Sequence, residues 1–255
     1  MLHDHCITAE VPAPRTIVDL GCGTGVVLDE LAVKFPSATD IIGIDITPLE
    51  SSSSRDSRIS FIQGNMHNLM ATGPRLAAGT ADFVFSRLLI YAITDWPAYI
   101  REIFTLLKSG GRAELQDFCD QMFLSDGPAL DLDRPSRWEW LHLYREGARN
   151  KGLDLDCATK FARWMRECGF VDVKATEYTM PYYFDADRPE MDAMAELQID
   201  DPDGMFWHAF PKVVDGLGLG VERVNELRAQ MVHSLGEEAG KYQTYWIVTG
   251  MKPGN

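Results

Sequence analysis

The stretch that decides the fold is Val18-Asp19-Leu20-Gly21-Cys22-Gly23-Thr24-Gly25. A short β-branched run, Thr16–Leu20, leads into it, and residues 25–35 follow with apolar side chains at helical spacing until Pro36. Glycines at such a turn adopt backbone torsions closed to other residues and let a ligand approach the backbone closely. The stretch therefore predicts the first strand, turn and helix of an α/β sheet that binds a ligand.

The spacing of these glycines indicates the charge of that ligand. A dinucleotide-binding loop reads G-x-G-x-x-G, whereas this loop reads G-x-G-x-G with Asp19 two residues before Gly21. A pyrophosphate favours bare N–H groups at a helix N-terminus, and the carboxylate of Asp19 would repel it. The loop therefore predicts a ligand that carries a positively charged amino group. The alternative is a tight turn that merely follows an acid.

Strand and helix patterns alternate through the first half of the chain. Such alternation implies a parallel sheet flanked by helices, which binds ligands at its carboxyl edge. We expect a single domain over residues 1–255, with a cofactor-binding core at 15–118. Helical, aromatic-rich inserts on the substrate side should lie over the carboxyl edge at 119–157, where no strand is predicted, and at 180–238. Strands are predicted at 16–20, 41–45, 58–63, 82–86, 112–118, 171–178 and 241–251, and helices at 25–35, 95–108, 138–149, 158–168 and 221–234, with Ser109-Gly110-Gly111 as a C-terminal cap.

Composition excludes several classes of protein. The 255 residues include 24 Lys and Arg against 38 Asp and Glu, a net charge of −14, which argues against partners such as nucleic acid or anionic membranes. No apolar run approaches 18 residues, so we expect no transmembrane helix. Five cysteines without a C-x-x-C pair favour a reduced, cytoplasmic protein, with the nucleus as the other compartment. A small-molecule substrate is the expected partner, and a homodimer stays open.

Two further polar positions follow predicted strands. Asp45 ends the second strand, where an acid accepts the ribose hydroxyls of a nucleoside; the alternative is an N-cap for a following helix. Gln63-Gly64-Asn65-Met66 follows the third strand. The amide of Asn65 can both donate to and accept from an adenine edge, and Met66 can pack on the ring face. The alternative is a plain Asn/Gly turn.

These motifs together resemble the class I S-adenosylmethionine-dependent methyltransferases, and most closely the fungal LaeA-like, or UMTA-type, methyltransferases of secondary metabolism. The resemblance covers nearly the whole chain and rests on the order and spacing of short pieces. It implies an α/β fold with a doubly wound, Rossmann-like sheet of seven strands, with S-adenosylmethionine as cofactor and S-adenosylhomocysteine as product. The pieces include Phe85-Ser86-Arg87-Leu88-Leu89, Leu106-Leu107-Lys108-Ser109-Gly110-Gly111, Glu114-Leu115-Gln116-Asp117, Cys168-Gly169-Phe170 and the ending Tyr245-Trp246-Ile247-Val248.

The resemblance also implies a cofactor site. Arg87 would pair with the methionine carboxylate, unless it forms a structural ion pair, and Asn65 stands where the family usually has an acid. Relatives carry an upstream helical lid, whereas only 15 residues precede the first strand here; we expect an insert or a second subunit to replace the lid, or the cofactor to be held loosely. The implied cofactor-binding residues are Asp19, Gly21, Cys22, Gly23, Gly25, Asp45, Ile46, Gly64, Asn65, Met66, Ser86 and Arg87.

The implied reaction moves a methyl group by in-line displacement to an O, N or S atom of a small, aromatic or hydrophobic metabolite. A hydroxyl acceptor needs a base, and histidine is the usual one. His142 and His208 are the candidates, with ordinary surface or packing roles as the alternative. A substrate pocket is predicted from aromatic side chains that could equally form the inserts' own core. These are Tyr91, Trp138, Phe206 and Trp207.

We expect no metal in this reaction. A metal-dependent mechanism would need carboxylates at the end of the fourth strand, where Ser86 and Arg87 stand. The tract His3-Asp4-His5-Cys6 resembles metal ligands but lies at a chain terminus. Two other functions stay open: a non-methylating natural-product enzyme of the cyclase or pericyclase type, and a LaeA-like regulatory binding protein. Eight acids within residues 185–203 could attract a cationic ligand, or form a solvated face.

Overall fold

A seven-stranded sheet organises the computed structural model, which describes residues 7–49, 56–124, 138–182, 205–237 and 241–254. The order across the sheet is β3-β2-β1-β4-β5-β7-β6. The first five strands run parallel, and β7 is antiparallel to both of its neighbours. This confirms the predicted seven-stranded α/β sheet. The strands are β1 (Thr16–Leu20), β2 (Asp40–Asp45), β3 (Ile59–Gln63), β4 (Ala81–Arg87), β5 (Leu107–Leu124), β6 (Val171–Pro181) and β7 (Lys241–Met251).

Helices cover both faces of this sheet. One face carries α1, whose Leu28 and Leu31 pack with Phe83 and Phe85 of β4. The other carries a larger core that includes α3, α4 and α5, with α6 and α7 packed on α4. Because both faces are covered, β1 is buried along almost its whole length. The helices are α1 (Val26–Lys34), α2 (Met66–Thr72), α3 (Trp96–Leu106), α4 (Glu139–Asn150), α5 (Phe161–Cys168), α6 (Met205–Val214) and α7 (Val221–Glu237).

Strand β5 is longer than the sequence pattern predicts. The prediction ended it at residue 118 and placed a strandless insert from 119, whereas the strand continues to Leu124. Its last residues pair with the start of β7, Phe123 opposite Tyr242. The prediction was wrong because the polar residues Asp117 and Asp120 break the apolar pattern, although both are buried. A local pattern cannot reveal this pairing, because Phe123 and Tyr242 lie 119 positions apart in the sequence.

The cap predicted after α3 is also misplaced. The helix ends at Leu106, and its C-cap is Leu107, in an extended conformation. Gly110 has the expected left-handed φ of 79°, but its N–H donates to the carbonyl of Lys252, at 2.9 Å. Gly110 therefore shapes the start of β5 rather than the end of α3.

The segment before β1 is anchored to the sheet. Ile7 and Ala9 are buried. The carboxylate of Glu114 on β5 accepts hydrogen bonds from the backbone N–H of Thr8, at 3.0 Å to each oxygen, and from that of Ala9, at 2.5 Å. Burial raises the pKa of Glu114, although these donors oppose the shift. No helix within the described ranges is long and apolar enough to cross a membrane.

Candidate functional site

The glycine loop joins β1 to α1 with an open backbone. Gly21, Gly23 and Gly25 have φ values of 76°, 51° and 76°, in the left-handed region that favours glycine. The N–H groups of Gly21 and Cys22 donate to the carbonyl of Ile44 on β2, at 2.8 and 3.0 Å. A Cβ added at Gly23 would meet no atom within 4 Å. Gly23 therefore presents bare backbone to open space beside the sheet.

Asp19 lies at the end of β1 with an unsatisfied oxygen. Its side chain is 2% exposed, and its Oδ2 has no hydrogen-bond partner among the described residues. Burial raises the pKa of Asp19 to about 7, while the nearby charge of Arg87 opposes the shift and that of Asp45 adds to it. A buried acceptor without a donor is costly. The site is thus suited to a ligand that brings an N–H donor and a positive charge.

Asp45 ties β2 to the glycine loop. Its Oδ2 accepts from the N–H of Gly23 at 2.8 Å, and its Oδ1 accepts from the N–H of Thr47 at 2.8 Å. Each carboxylate oxygen can accept a second hydrogen bond, so hydroxyl groups of a ligand can still bind. Ile46 beside it is 68% exposed. No helix begins within residues 46–49, which removes the N-cap alternative for that stretch.

Asn65 has a structural role that the sequence analysis did not assign. It is the N-cap of α2: its side chain accepts from the N–H groups of His67 and Asn68, at 3.0 and 3.4 Å. Asparagine is among the preferred N-cap residues, so this signal was present in the sequence. Met66 is 9% exposed and packs in the larger core. Gly64 immediately precedes the cap. The adenine contact of Asn65 remains a prediction, now restricted to its amide N–H₂ group.

Ser86 and Arg87 end β4 beside the same edge. Ser86 is buried, and its Oγ accepts from the hydroxyl of Tyr99 at 2.8 Å. No carboxylate of the described residues forms an ion pair with Arg87. The structural ion pair is therefore not found within the described chain, and the positive charge of Arg87 acts on Asp19 instead.

A strained loop after β4 contacts the glycine loop. Leu88 has a φ of 57°, uncommon for a residue with a side chain, and is 40% exposed. The next residue, Leu89, donates its N–H to Oδ2 of Asp117 at 2.8 Å, and its methyl group would lie 2.4 Å from a Cβ at Gly21. Burial raises the pKa of Asp117 to about 8. The sequence predicts Asp117 only as part of the stretch Glu114-Leu115-Gln116-Asp117, without a role of its own.

Tyr91, a predicted substrate contact, belongs to a hydrogen-bonded network at this edge. Its hydroxyl donates to Oδ2 of Asp120 at 3.0 Å and accepts from the hydroxyl of Tyr144 at 2.5 Å. Gln243 Nε2 donates to Oδ1 of Asp120 at 3.3 Å, and Gln243 Oε1 accepts from Tyr182 at 2.6 Å. Burial raises the pKa of Asp120 to about 7, while the hydrogen bond from Tyr91 lowers it. Sequence reasoning missed Asp120 because no spacing rule joins these elements.

The two candidate histidines lie on the surface. His142 is exposed on α4, whereas Trp140 and Tyr144 of the same helix are buried. His208 is exposed on α6. Their assignment as bases stays a prediction. His67 instead pairs with Glu102, its Nδ1 lying 2.6 Å from Oε2.

The predicted aromatic pocket is only partly described. Trp138 is 6% exposed, stacks on Trp140 with ring centroids 5.6 Å apart, and so lies in the core. Trp207 is half-buried, with the guanidinium of Arg228 3.5 Å from its ring centroid. The side chain of Phe206 and the tracts 3–6 and 185–203 lie outside the described residues. Among the residues that the structure does describe, no cluster of three His, Cys, Asp or Glu side chains could hold a metal ion.

The strand order, the glycine loop after β1 and the acid after β2 define the class I methyltransferase fold. The model of the methyltransferase domain family matches residues 7–175, and the chain belongs to this family.

Relatives among characterised proteins include the methyltransferase pytC of Aspergillus terreus, 25% identical over 71% of this chain and 54% of its own length. The secondary metabolism regulator laeA of Coprinopsis cinerea is 28% identical over 73% of this chain and 46% of its own length. The chain thus spans about half the length of these relatives and resembles methyltransferases of fungal secondary metabolism.

Solved structures share the fold at low sequence identity. Phosphoethanolamine N-methyltransferase 2 of Haemonchus contortus, in complex with phosphomonomethylethanolamine and S-adenosylhomocysteine, aligns with a TM-score of 0.54 at 14% identity, over 94% of this chain and 49% of that one. The [4+2]-cyclase SpnF aligns with a TM-score of 0.53 at 17% identity, over 99% and 78%. At this identity the likeness shows the fold alone, since it includes both a methyltransferase and a cyclase.

Proposed function

We propose that this chain transfers a methyl group from S-adenosylmethionine to a small aromatic or hydrophobic metabolite, without a metal ion. Membership of the methyltransferase domain family supports this proposal. The observation that carries it is the buried oxygen of Asp19, which has no donor within the described chain. An ammonium group would supply both the missing hydrogen bond and a compensating charge.

The residues at the carboxyl edge fit the parts of this cofactor. Asp19 would accept from its ammonium group, Arg87 would pair with its carboxylate, and Asp45 would accept from its ribose hydroxyls. The bare backbone at Gly23 leaves room for the close approach that a side chain would block. When bound, S-adenosylmethionine supplies an electrophilic methyl group on a positively charged sulfur. The protein then mainly has to orient the acceptor and exclude water, which is worth on the order of 7–11 kcal/mol in well-oriented reactions.

A matched pair of glycine variants tests the cofactor site. Gly23 and Gly79 both have positive φ, 51° and 70°, and a Cβ at either would meet no atom within 4 Å. Alanine at either position should therefore cost about 1–2 kcal/mol of stability from backbone strain. Only Gly23→Ala should weaken S-adenosylmethionine binding in calorimetry. Equal affinities of the two variants would contradict the proposed site.

Transfer itself is tested with labelled cofactor. The purified protein is incubated with methyl-labelled S-adenosylmethionine and a panel of aromatic metabolites that offer hydroxyl, amine or thiol groups. We expect label in one class of product. Cofactor binding without transfer to any acceptor would favour a regulatory binding protein or a non-methylating enzyme. The similarity to a laeA regulator keeps the first of these as the second candidate.

A further inference from the structure

The network around Asp120 gathers residues from five parts of the fold at the carboxyl edge of the sheet. Tyr91 comes from the loop after β4, Asp120 from β5, Tyr144 from α4, Tyr182 from the end of β6 and Gln243 from the start of β7. Open α/β sheets bind ligands at this edge. The same loop contacts the glycine loop through Leu89. The network therefore lies next to the proposed cofactor site.

Among the described residues of this network, Tyr91 is the most exposed. Asp120 and Tyr144 are 0% exposed, Gln243 is 1% and Tyr182 is 3% exposed, whereas Tyr91 is half-buried. The hydroxyl of Tyr91 donates to Asp120 and accepts from Tyr144. The Tyr91 oxygen is both a donor and an acceptor, and uptake of a proton from a ligand requires it to accept a further hydrogen bond. Tyr91 thus connects the surface to a buried carboxylate.

Packing against buried aromatic rings fixes the position of Tyr91. The rings of Tyr91 and Tyr144 meet edge to face with centroids 6.3 Å apart. Tyr144 in turn stacks on Phe210, with centroids 5.7 Å apart and planes 7° from parallel. This packing holds both hydroxyl groups in place, which a proton-transfer site requires.

We propose that the methyl acceptor is a hydroxyl group and that Tyr91 and Asp120 together take up its proton. This proposal rests on the methyl transfer proposed above. The acceptor oxygen forms a bond to the methyl carbon, and the electron pair of the broken carbon–sulfur bond stays on sulfur. The proton of the hydroxyl passes to the Tyr91 oxygen, and the proton of Tyr91 passes to Asp120. One positive charge on sulfur and one negative charge on Asp120 disappear together, so charge balances.

The surroundings of Asp120 suit a group that exchanges a proton near neutral pH. Arg145 donates to the backbone carbonyl of Asp120 at 3.2 Å and to Asp156 at 2.6 Å. Its charge lowers the pKa of Asp120, and the charge of Asp156 raises it. Titratable and charged groups around Asp120 come from every neighbouring element of the described chain: Tyr91, Asp117, Cys119, Tyr144, Arg145, Asp156, Cys157 and Tyr182.

Two substitutions and one control test the proposal. Asp120→Asn keeps the shape of the side chain but cannot take a proton, and Tyr91→Phe removes one oxygen. General base catalysis is worth about 100-fold or more, so kcat for a hydroxyl acceptor should fall by about that factor in each variant. Tyr245→Phe is the matched control, since its buried hydroxyl donates to Gln116 on the same strand pair, at 2.8 Å. The control should keep the wild-type kcat, and all three variants should bind S-adenosylmethionine normally in calorimetry.

A spectroscopic titration supplies a readout that does not depend on turnover. Infrared difference spectra of protein with ¹³C-labelled aspartate, wild type minus Asp120→Asn, isolate the carboxyl band of Asp120. We expect a midpoint near pH 7. Tyr91→Phe should raise this midpoint, because the lost hydrogen bond lowers the pKa of Asp120 in the wild type. The acid limb of the wild-type kcat profile should have the same midpoint as the carboxyl band, which a purely structural network would not cause.

The outcomes separate this proposal from the one it rests on. An active wild type with an equally active Asp120→Asn variant overturns the proton-transfer role alone. So does transfer to amines or thiols but never to hydroxyls. A wild type that binds S-adenosylmethionine and transfers no label overturns the proposed function, and this proposal with it. If Asp120→Asn does not fold, the loss of one oxygen in Tyr91→Phe decides the question.

Discussion

Asp19 is buried because it lies on the central strand β1. Val18 and Leu20 on either side of it are 0% exposed, because β1 lies in the middle of a sheet that is covered on both faces. The carboxyl group shares this burial, and desolvation raises its pKa to about 7. A buried, unpaired carboxyl group in this position lowers the stability of the ligand-free protein, and under the proposed function it selects a cationic group.

At the residue scale, Asp19→Asn should stabilise the ligand-free protein and weaken cofactor binding at pH 8. A carboxyl whose pKa is raised on folding contributes stability below its unfolded pKa of about 3.9 and loses that stability as pH rises through 7. Asparagine carries no charge and escapes the loss. Denaturant unfolding should show the variant gaining more on the wild type at pH 8 than at pH 5.

Cofactor affinity in the same variant gives the second half of this prediction. A hydrogen bond to a charged group is worth about 1.5–3 kcal/mol, so calorimetry should show binding about 10–100-fold weaker. Glu177→Gln, an exposed acid on β6, serves as the control and should bind normally. An unchanged affinity in Asp19→Asn would refute the ammonium contact.

At the scale of elements, strand ends and helix starts meet at the same edge. Helix α2 starts directly after β3 and takes its N-cap from Asn65. Helix α3 is capped by Asp95, which accepts from the N–H of Ala98 at 2.9 Å. Strand β5 brings Asp117 and Asp120 to the edge, where each holds the loop that follows β4. Hydrogen bonds to β5 therefore help to fix the shape of this loop.

Two substitutions at Asn65 separate capping from ligand binding. Asn65→Ala removes the side chain that accepts from His67 and Asn68, so the free energy of unfolding should fall by about 1 kcal/mol. Asn65→Asp caps equally well and should preserve stability in urea unfolding. The aspartate variant lacks the amide donor, so a change in S-adenosylmethionine affinity without a change in stability would identify an adenine contact. Equal stability of the alanine variant and the wild type would contradict the capping role.

At the scale of the whole molecule, electrostatics favour mildly acidic conditions. The chain carries a net charge of −14 and buries three aspartates whose pKa values are raised to about 7, 8 and 7, namely Asp19, Asp117 and Asp120. Ionising each of them as pH rises places a charge in a poorly hydrated position. The folded state therefore binds more protons than the unfolded state between about pH 4 and 8.

The stability of the ligand-free protein should accordingly decrease as pH rises from about 4 to 8. Chemical denaturation should show the decline between about pH 4 and 8 and a plateau above it, where these three groups are ionised in both states. Salt screens exposed charges but affects buried ones much less, so the decline should persist in 0.5 M salt. If salt abolishes the decline, surface repulsion rather than the buried aspartates causes it. Asp120→Asn should flatten the curve.

Much of the fold could be predicted because its signals are local. The bounds of β1 and β7 are those that the sequence predicts, and α1 lies within the predicted residues 25–35. The length of β5 and the position of Gly110 could not be predicted, since both depend on pairing with the chain's last strand. The network around Asp120 was missed for the same reason: Tyr91 and Gln243 lie 152 positions apart in the sequence.

The sequence by itself determined the class of fold and the position of the cofactor loop. Apolar periodicity, glycine spacing and an acid before the loop act over a few residues, so they can be recognised without coordinates. Only the tertiary structure decided that the buried Asp19 lacks a donor for one oxygen. It also decided that Asp117 and Asp120 bind the loop after β4, and that Tyr91 contacts Asp120. Burial and hydrogen-bond partners depend on residues brought together from distant parts of the chain, and these set the charge of each acid.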